Sequence, residues 1–179
     1  AIVLGVEGHA VTVEVHTGRG LPGLTIVGLP DASCREARDR VRAALMASKA
    51  TWPNKRITVN LAPSSTRKVG SGLDLAIAVG VLVSSGQVEH EAVEGMGFLG
   101  ELGLDGTLRP VPGVVPLVDA IACERVVVPV ASATDAELVE GPRVCSVRCL
   151  AELMAVLQDQ APWPDHDRPV PAPTAADPL

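Results

Sequence analysis

Residues 24–61 constrain the fold most, because they read as strand, helix and strand in quick succession. Leu24-Thr25-Ile26-Val27 has the apolar, β-branched make-up of a strand and is closed by Gly28 and Pro30. A helix follows over residues 31–49. Asp31 and Ser33 compete as its N-cap, and Ser33 stands three residues before Glu36 in capping-box spacing. At the helical period, Ala37, Val41, Ala44, Leu45 and Ser48 fall on one side, and Arg35, Arg38, Arg42 and Lys49 on an adjoining stripe. Trp52 and Pro53 end the segment, and Ile57-Thr58-Val59-Asn60-Leu61 is the next strand.

The flanks extend the pattern. Val11, Val13 and Val15 alternate with Thr12, Glu14 and His16, the period of a half-buried strand, and Gly18, Gly20, Pro22 and Gly23 mark the turn after it. Residues 62–72 form a loop rich in Pro, Ser and Gly. Residues 73–83 are apolar on all sides, which predicts a buried helix. Short strands are expected over residues 97–111 around a turn at Asp105-Gly106. Then come a helix over 114–123, a strand over 125–130, a short helix over 133–139, a strand over 143–147 and a helix over 149–157. Strands first, then interleaved helices, predict an α+β domain with a mixed sheet and packed helices over residues 1–157. Residues 158–179 differ in kind: six of 22 are proline and no apolar period remains, the composition of a linker or disordered tail.

Composition narrows the function classes. Hydrophobic residues make up 47% of the 179 and aromatics only 2%, so a single core must be packed from Val, Leu, Ile and Ala. No apolar run approaches the ~20 residues that span a bilayer. No secretory signal pattern opens the sequence, so a cytoplasmic protein with no membrane partner is expected. Cys34, Cys123, Cys145 and Cys149 read as free thiols, with Cys123 a core residue of the 114–123 helix. The net charge of −6 is unevenly spread: residues 1–68 carry +5 and residues 69–179 carry −11. That asymmetry keeps a nucleic-acid partner open in an acidic chain.

Four blocks then carry a resemblance: GLPGLTIVGLPD (20–31), EARDRVRAAL (36–45), ITVNLAP (57–63) and GFLGELGLDGTLRPVPG (97–113). In this order they resemble the N-terminal domain of the ComM/YifB family of magnesium-chelatase-like AAA+ proteins. The resemblance implies a Lon-protease-like (ribosomal protein S5 domain 2-like) fold. It also implies a following AAA+ ATPase module that binds ATP and Mg2+, assembly of the full-length protein into a hexamer, and action on DNA, such as branch migration in recombination during transformation. No GxxxxGK[ST] occurs here, so ATP and Mg2+ are expected of that module and no cofactor of these residues.

Against the Lon peptidase pattern the match fails at the chemistry. The K-D-G-P-S-A-G run corresponds to Lys68-Val69-Gly70-Ser71-Gly72-Leu73-Asp74, which puts Gly72 at the nucleophile position and Ser71 one residue early. The dyad lysine of the G-G-L-K-E run corresponds to Val115, and no lysine follows Lys68 anywhere. A serine hydroxyl without a base in reach is a poor nucleophile near neutral pH. The domain is therefore expected to be non-catalytic, with a residual serine peptidase using Ser71 as the reading to exclude.

The remaining candidates are weighed against plainer roles. Arg35, Arg38, Arg42 and Lys49 could meet phosphates, or could be a solvated face in which Asp39 pairs with Arg35 and Arg42 while Glu36 supports Arg40. In the 64–72 loop, Arg67 and Lys68 are candidates for DNA contact beside a helix N-terminus that favours anions. Asp74 competes there, and can itself cap the helix. Cys145-x3-Cys149 is half of a zinc site at most, since His9, His16, His90 and His166 are scattered, and no metal is expected. No GxSxG elbow supports a Ser–His–Asp hydrolase, and Trp52 and Trp163 are too isolated to stack bases. Two roles remain: DNA contact, or a purely structural part in packing protomers.

Overall fold

The structure, a computed structural model, describes residues 1–165. In chain order the elements are β1 (Ile2–Leu4), β2 (Glu7–His9), β3 (Thr12–Gly18), β4 (Gly23–Val27), α1 (Ala32–Ala47), β5 (Arg56–Ala62), α2 (Asp74–Ser84), β6 (Met96–Phe98), β7 (Glu101–Leu102), β8 (Leu108–Arg109), α3 (Val114–Asp119), β9 (Arg125–Pro129), α4 (Ala133–Ala136), β10 (Arg143–Val147) and α5 (Leu150–Leu157). Turns of 3-10 helix occupy His90–Val93 and Val130–Ser132.

The first sheet has the order β3–β5–β4. The central β5 is antiparallel to β3, with Val15 opposite Val59, and parallel to β4, with Ile26 opposite the same Val59. The sheet is mixed because α1 returns the chain between β4 and β5, the crossover that a parallel pair needs. Along β5, Ile57, Val59 and Leu61 are fully buried while Thr58 and Asn60 alternate with them. α1 covers this core with Ala37, Val41, Ala44 and Leu45. α2 is buried along most of its length through Leu75, Ile77, Ala78, Val79, Val81 and Leu82, as its uniformly apolar sequence predicts.

The second sheet, β10–β9–β6, is wholly parallel. It is apolar on both faces: Val127 joins the main core, while Val126 and Val128 pack with Leu99, Leu117, Val118 and Ala136 in a second cluster. Two antiparallel hairpins complete the fold, β1–β2 beside α3 and β7–β8 around the Asp105-Gly106 turn.

Three expectations change. The helix read over 114–123 is only Val114–Asp119, closed by Ile121 N donating to Val118 O at 3.0 Å, because the chain must leave it to enter β9 at Arg125. Cys123 therefore lies outside that helix and is part-buried against the second cluster. The helix read over 133–139 is the single turn Ala133–Ala136. Of the tail read over 158–179, residues 166–179 lie outside the described residues, and Trp163 packs against the main core. No helix among the described residues is long and apolar enough to cross a membrane.

Candidate functional site

The loop between β5 and α2 is shaped by where its backbone groups find partners. Lys68 forms a short parallel bridge with Pro30: Lys68 N donates to Leu29 O at 3.0 Å and Asp31 N donates to Lys68 O at 2.9 Å. Asp31 serves both sides of this contact. Its Oδ1 accepts from Cys34 N at 2.7 Å, capping α1, and its Oδ2 accepts from Gly70 N at 3.2 Å. Asp31 is thus the N-cap in place of Ser33, since from its position the side chain bonds the helix and the loop at once. Burial pushes the Asp31 carboxyl up, but the Cys34 and Gly70 amides and the Arg67 charge outweigh it and hold the group below the ordinary carboxylate range. The Cys34 thiol donates to Gly70 O at 3.1 Å. Burial, and then the Asp31 charge, push that thiol up to about 12.

Lys68 is a correction. Expected beside Arg67 as a DNA contact, it is fully buried, and its ammonium donates to Pro63 O and to Thr66 O, the latter at 2.7 Å. Burial lowers its pKa. The anion cradle expected at the start of α2 is also filled from within. The amides of Gly70, Asp74 and Leu75 donate to Asp31 Oδ2, Ser71 O and Gly100 O. Asp74 does not cap α2. Its buried carboxylate receives Arg40 Nε at 2.6 Å, Arg40 Nη2 at 3.0 Å and Leu102 N at 3.1 Å. Glu36 supports Arg40 as expected, at 3.6 Å, but from the exposed side; Asp74 is the partner that orders the guanidinium.

Ser71 Oγ donates to Glu101 Oε2, and Glu101 Oε1 stands 3.7 Å from Arg109 Nη1. Gly72 lies under Val111, whose methyl groups stand 3.6 Å from the point a Cβ would occupy. Val115 is partly exposed on α3. Among the described residues, no group of three or more His, Cys, Asp or Glu could hold a metal ion.

The cations of α1 are not one free stripe. Arg35 Nη1 donates to Pro30 O at 2.9 Å instead of meeting Asp39, while Asp39 pairs first with Arg38, at 3.0 Å, and its carboxyl is held down by that bond and, more weakly, by the Arg42 charge. Arg42 lies over the Trp52 ring, 5.7 Å from its centroid. Lys49, just beyond the helix in the left-handed conformation, and Arg67 are exposed. Sequence reasoning missed Arg19, Lys55 and Arg56, all exposed at one end of the first sheet. Their grouping follows from strand register, which sets Arg56 opposite both Gly18 and Gly23.

This two-sheet α/β domain falls in the Mg-chelatase-like class by its sequence. Residues 13–132 match the family described as subunit ChlI of Mg-chelatase, and the chain belongs to that family, sharing its domain with ComM/YifB members. It is 39% identical over 163 residues to the competence protein ComM of Haemophilus influenzae, covering 90% of this chain and 32% of that protein. It is 43% identical over 161 residues to an uncharacterized protein of Mycobacterium tuberculosis (strain H37Rv), covering 87% of this chain and 32% of that one. Over 112 residues it is 48% identical to the uncharacterized protein YifB of Escherichia coli (strain K12), covering 63% and 22%. The chain thus spans about a third of the length of the first of these relatives.

Proposed function

We propose that this chain is the non-catalytic, Lon-protease-like N-terminal domain of a Mg-chelatase-like AAA+ ATPase, and that it contributes DNA contact in DNA processing such as branch migration during transformation. The observation that carries the DNA reading is the surface of residues 1–68. Arg19, Arg42, Lys49, Lys55, Arg56 and Arg67 are exposed there and make no ion pair among the described residues. Cations outside ion-pair distance of a carboxylate are available to phosphates, whose contacts release counterions and so depend on salt; of the six, Arg67 and Arg42 also act at longer range on Asp31 and Asp39. The name of the Haemophilus relative, a competence protein, supports the same direction. ATP and Mg2+ belong, in this reading, to an AAA+ module outside these residues, and the full-length protein assembles as a hexamer.

A second reading, protomer packing without DNA contact, is favoured by the opposed charge of the two halves, +5 against −11. Fluorescence anisotropy with labelled single-stranded and forked DNA at low and moderate salt separates the two. Binding that weakens steeply with salt supports DNA contact; no binding even at low salt leaves assembly.

A further inference from the structure

We infer that the phosphate-binding surface is centred on the end of the first sheet where β3 stops, β4 begins and β5 enters, and not on Arg35 and Arg38 of α1 or on the loop before α2. The inference rests on the DNA reading above and places it. Arg56 is the first residue of β5 and pairs in register with Gly18, the last of β3, and Gly23, the first of β4. Arg19 follows Gly18 directly. The turn folds back over Arg56, so that a Cβ at Gly20 would stand 3.3 Å from Arg56 Cδ. Gly23 N donates to Lys55 O at 3.3 Å, which brings Lys55 to the same edge. Three cations from two separate segments therefore share one end of one sheet.

The connection from α1 to β5 adds two more. Lys49 leaves α1, and Arg42 reaches the same connection by lying on Trp52. None of these five side chains has a carboxylate within ion-pair distance among the described residues. Arg35 and Arg38, by contrast, are already bonded to Pro30 O and Asp39. Bound cations offer less to an incoming phosphate, because an existing partner must first be displaced.

The patch has an electrostatic border. Gln87 clamps Thr51 with two hydrogen bonds, 2.8 Å to its amide and 2.9 Å to its carbonyl. Gln87 also lines a cleft of about 650 Å³ in which Glu89, Glu91, Glu94, Glu124 and Asp159 outnumber one cation, Arg125. A polyanion seated on Arg19, Lys55 and Arg56 is repelled on the cleft side, so its path runs toward Arg42 and Lys49.

Anisotropy titrations of the whole chain with single-stranded and forked DNA test this surface. Arg19→Gln/Lys55→Gln/Arg56→Gln is expected to weaken binding about tenfold or more and to lower the slope of log affinity against log salt by about 2. Arg143→Gln/Arg148→Gln, cations of the other sheet region, is expected to change affinity less than about twofold. If the parent chain binds and the triple variant binds as well as it does, or if Arg35→Gln/Arg38→Gln loses more, this surface is wrong while the DNA reading stands. If the parent chain does not bind at low salt, the DNA reading falls and this inference with it. Salt-sensitive self-association by light scattering that is lost in the triple variant, without DNA binding, assigns the patch to a second copy and overturns the inference. Circular dichroism checks folding. Should the triple variant unfold, Arg19→Gln/Lys55→Gln leaves Arg56 in place against Gly20 and is read the same way.

Discussion

Arg40 and Asp74, 34 residues apart, form a two-point ion pair that ties α1 to the first residue of α2. The carboxylate is 1% exposed and the guanidinium 17%, so the pair is nearly out of water. Burial pushes the Asp74 carboxyl up against the pull of Arg40, and the hydrogen bond that Arg40 donates to Asp74 raises Arg40 in turn. Removing one partner strands a buried charge, which costs more than the pair itself contributes. Arg40→Ala is therefore expected to destabilise the domain by about 3 kcal/mol, read as a lower urea midpoint with an unchanged m-value. A loss below about 1 kcal/mol would mean that water reaches Asp74 in the folded state.

Gly28 directly follows β4 with φ of +96°, and a Cβ there would stand 2.1 Å from Leu61 O of the neighbouring β5. Both the backbone conformation and the lack of space require glycine. Gly28→Ala should cost more than about 1 kcal/mol, and each kcal/mol lowers Tm by about 2–4 °C in a domain of this size. Scanning calorimetry checks it, with Gly86→Ala, at φ of +74° but with nothing within 4 Å of the added methyl, as the case of backbone strain alone.

Much of the architecture was legible because local patterns agree with it. The alternation of Ile57, Val59 and Leu61 marks a strand buried on one face, and the strand read over 143–147 is β10 to the residue. The apolar run of residues 73–83 announces a buried helix, and α2 is that helix. The site was less legible because its contacts are long-range. Asp74 reads locally as a cap, and only the fold brings Arg40 to it. Lys68 reads as a surface cation in a polar loop, and only the bridge to Pro30 carries it inside. Lys55 and Arg56 look like ordinary charges before a strand until register sets them beside Arg19.

Cys34 should be chemically quiet and visible in the alkaline limb of stability. Its thiol is held near 12 in the folded chain against an ordinary 9.0. Between those values the folded state keeps a proton that the unfolded state has lost, so stability falls as pH rises above 9.0. Lys68 acts in the opposite sense, because its lowered pKa lets stability rise toward 10.5. The difference between parent and Cys34→Ala isolates the cysteine: the parent should lose stability relative to the variant above pH 9. At pH 8, iodoacetamide should alkylate Cys34 at least about a hundredfold more slowly in the folded protein than in urea, since the thiolate is the reactive form. Mass spectrometry of the labelled peptides reads both rates.

Ser71 should not behave as a nucleophile. Its hydroxyl donates to Glu101 Oε2, and that carboxylate also faces Arg109. The one lysine in the loop, Lys68, spends its hydrogen bonds on Pro63 O and Thr66 O. A general base must lie within hydrogen-bond reach, and a carboxylate near an arginine takes a serine proton far less readily than a neutral imidazole or amine. A fluorophosphonate probe is therefore expected to leave Ser71 unlabelled at pH 7 and 9. Ser71→Ala should leave DNA binding within about twofold of the parent, since the hydroxyl contributes no charge to the phosphate surface. Stoichiometric labelling lost in Ser71→Ala would instead make Glu101 the base of a working serine, and the domain an enzyme.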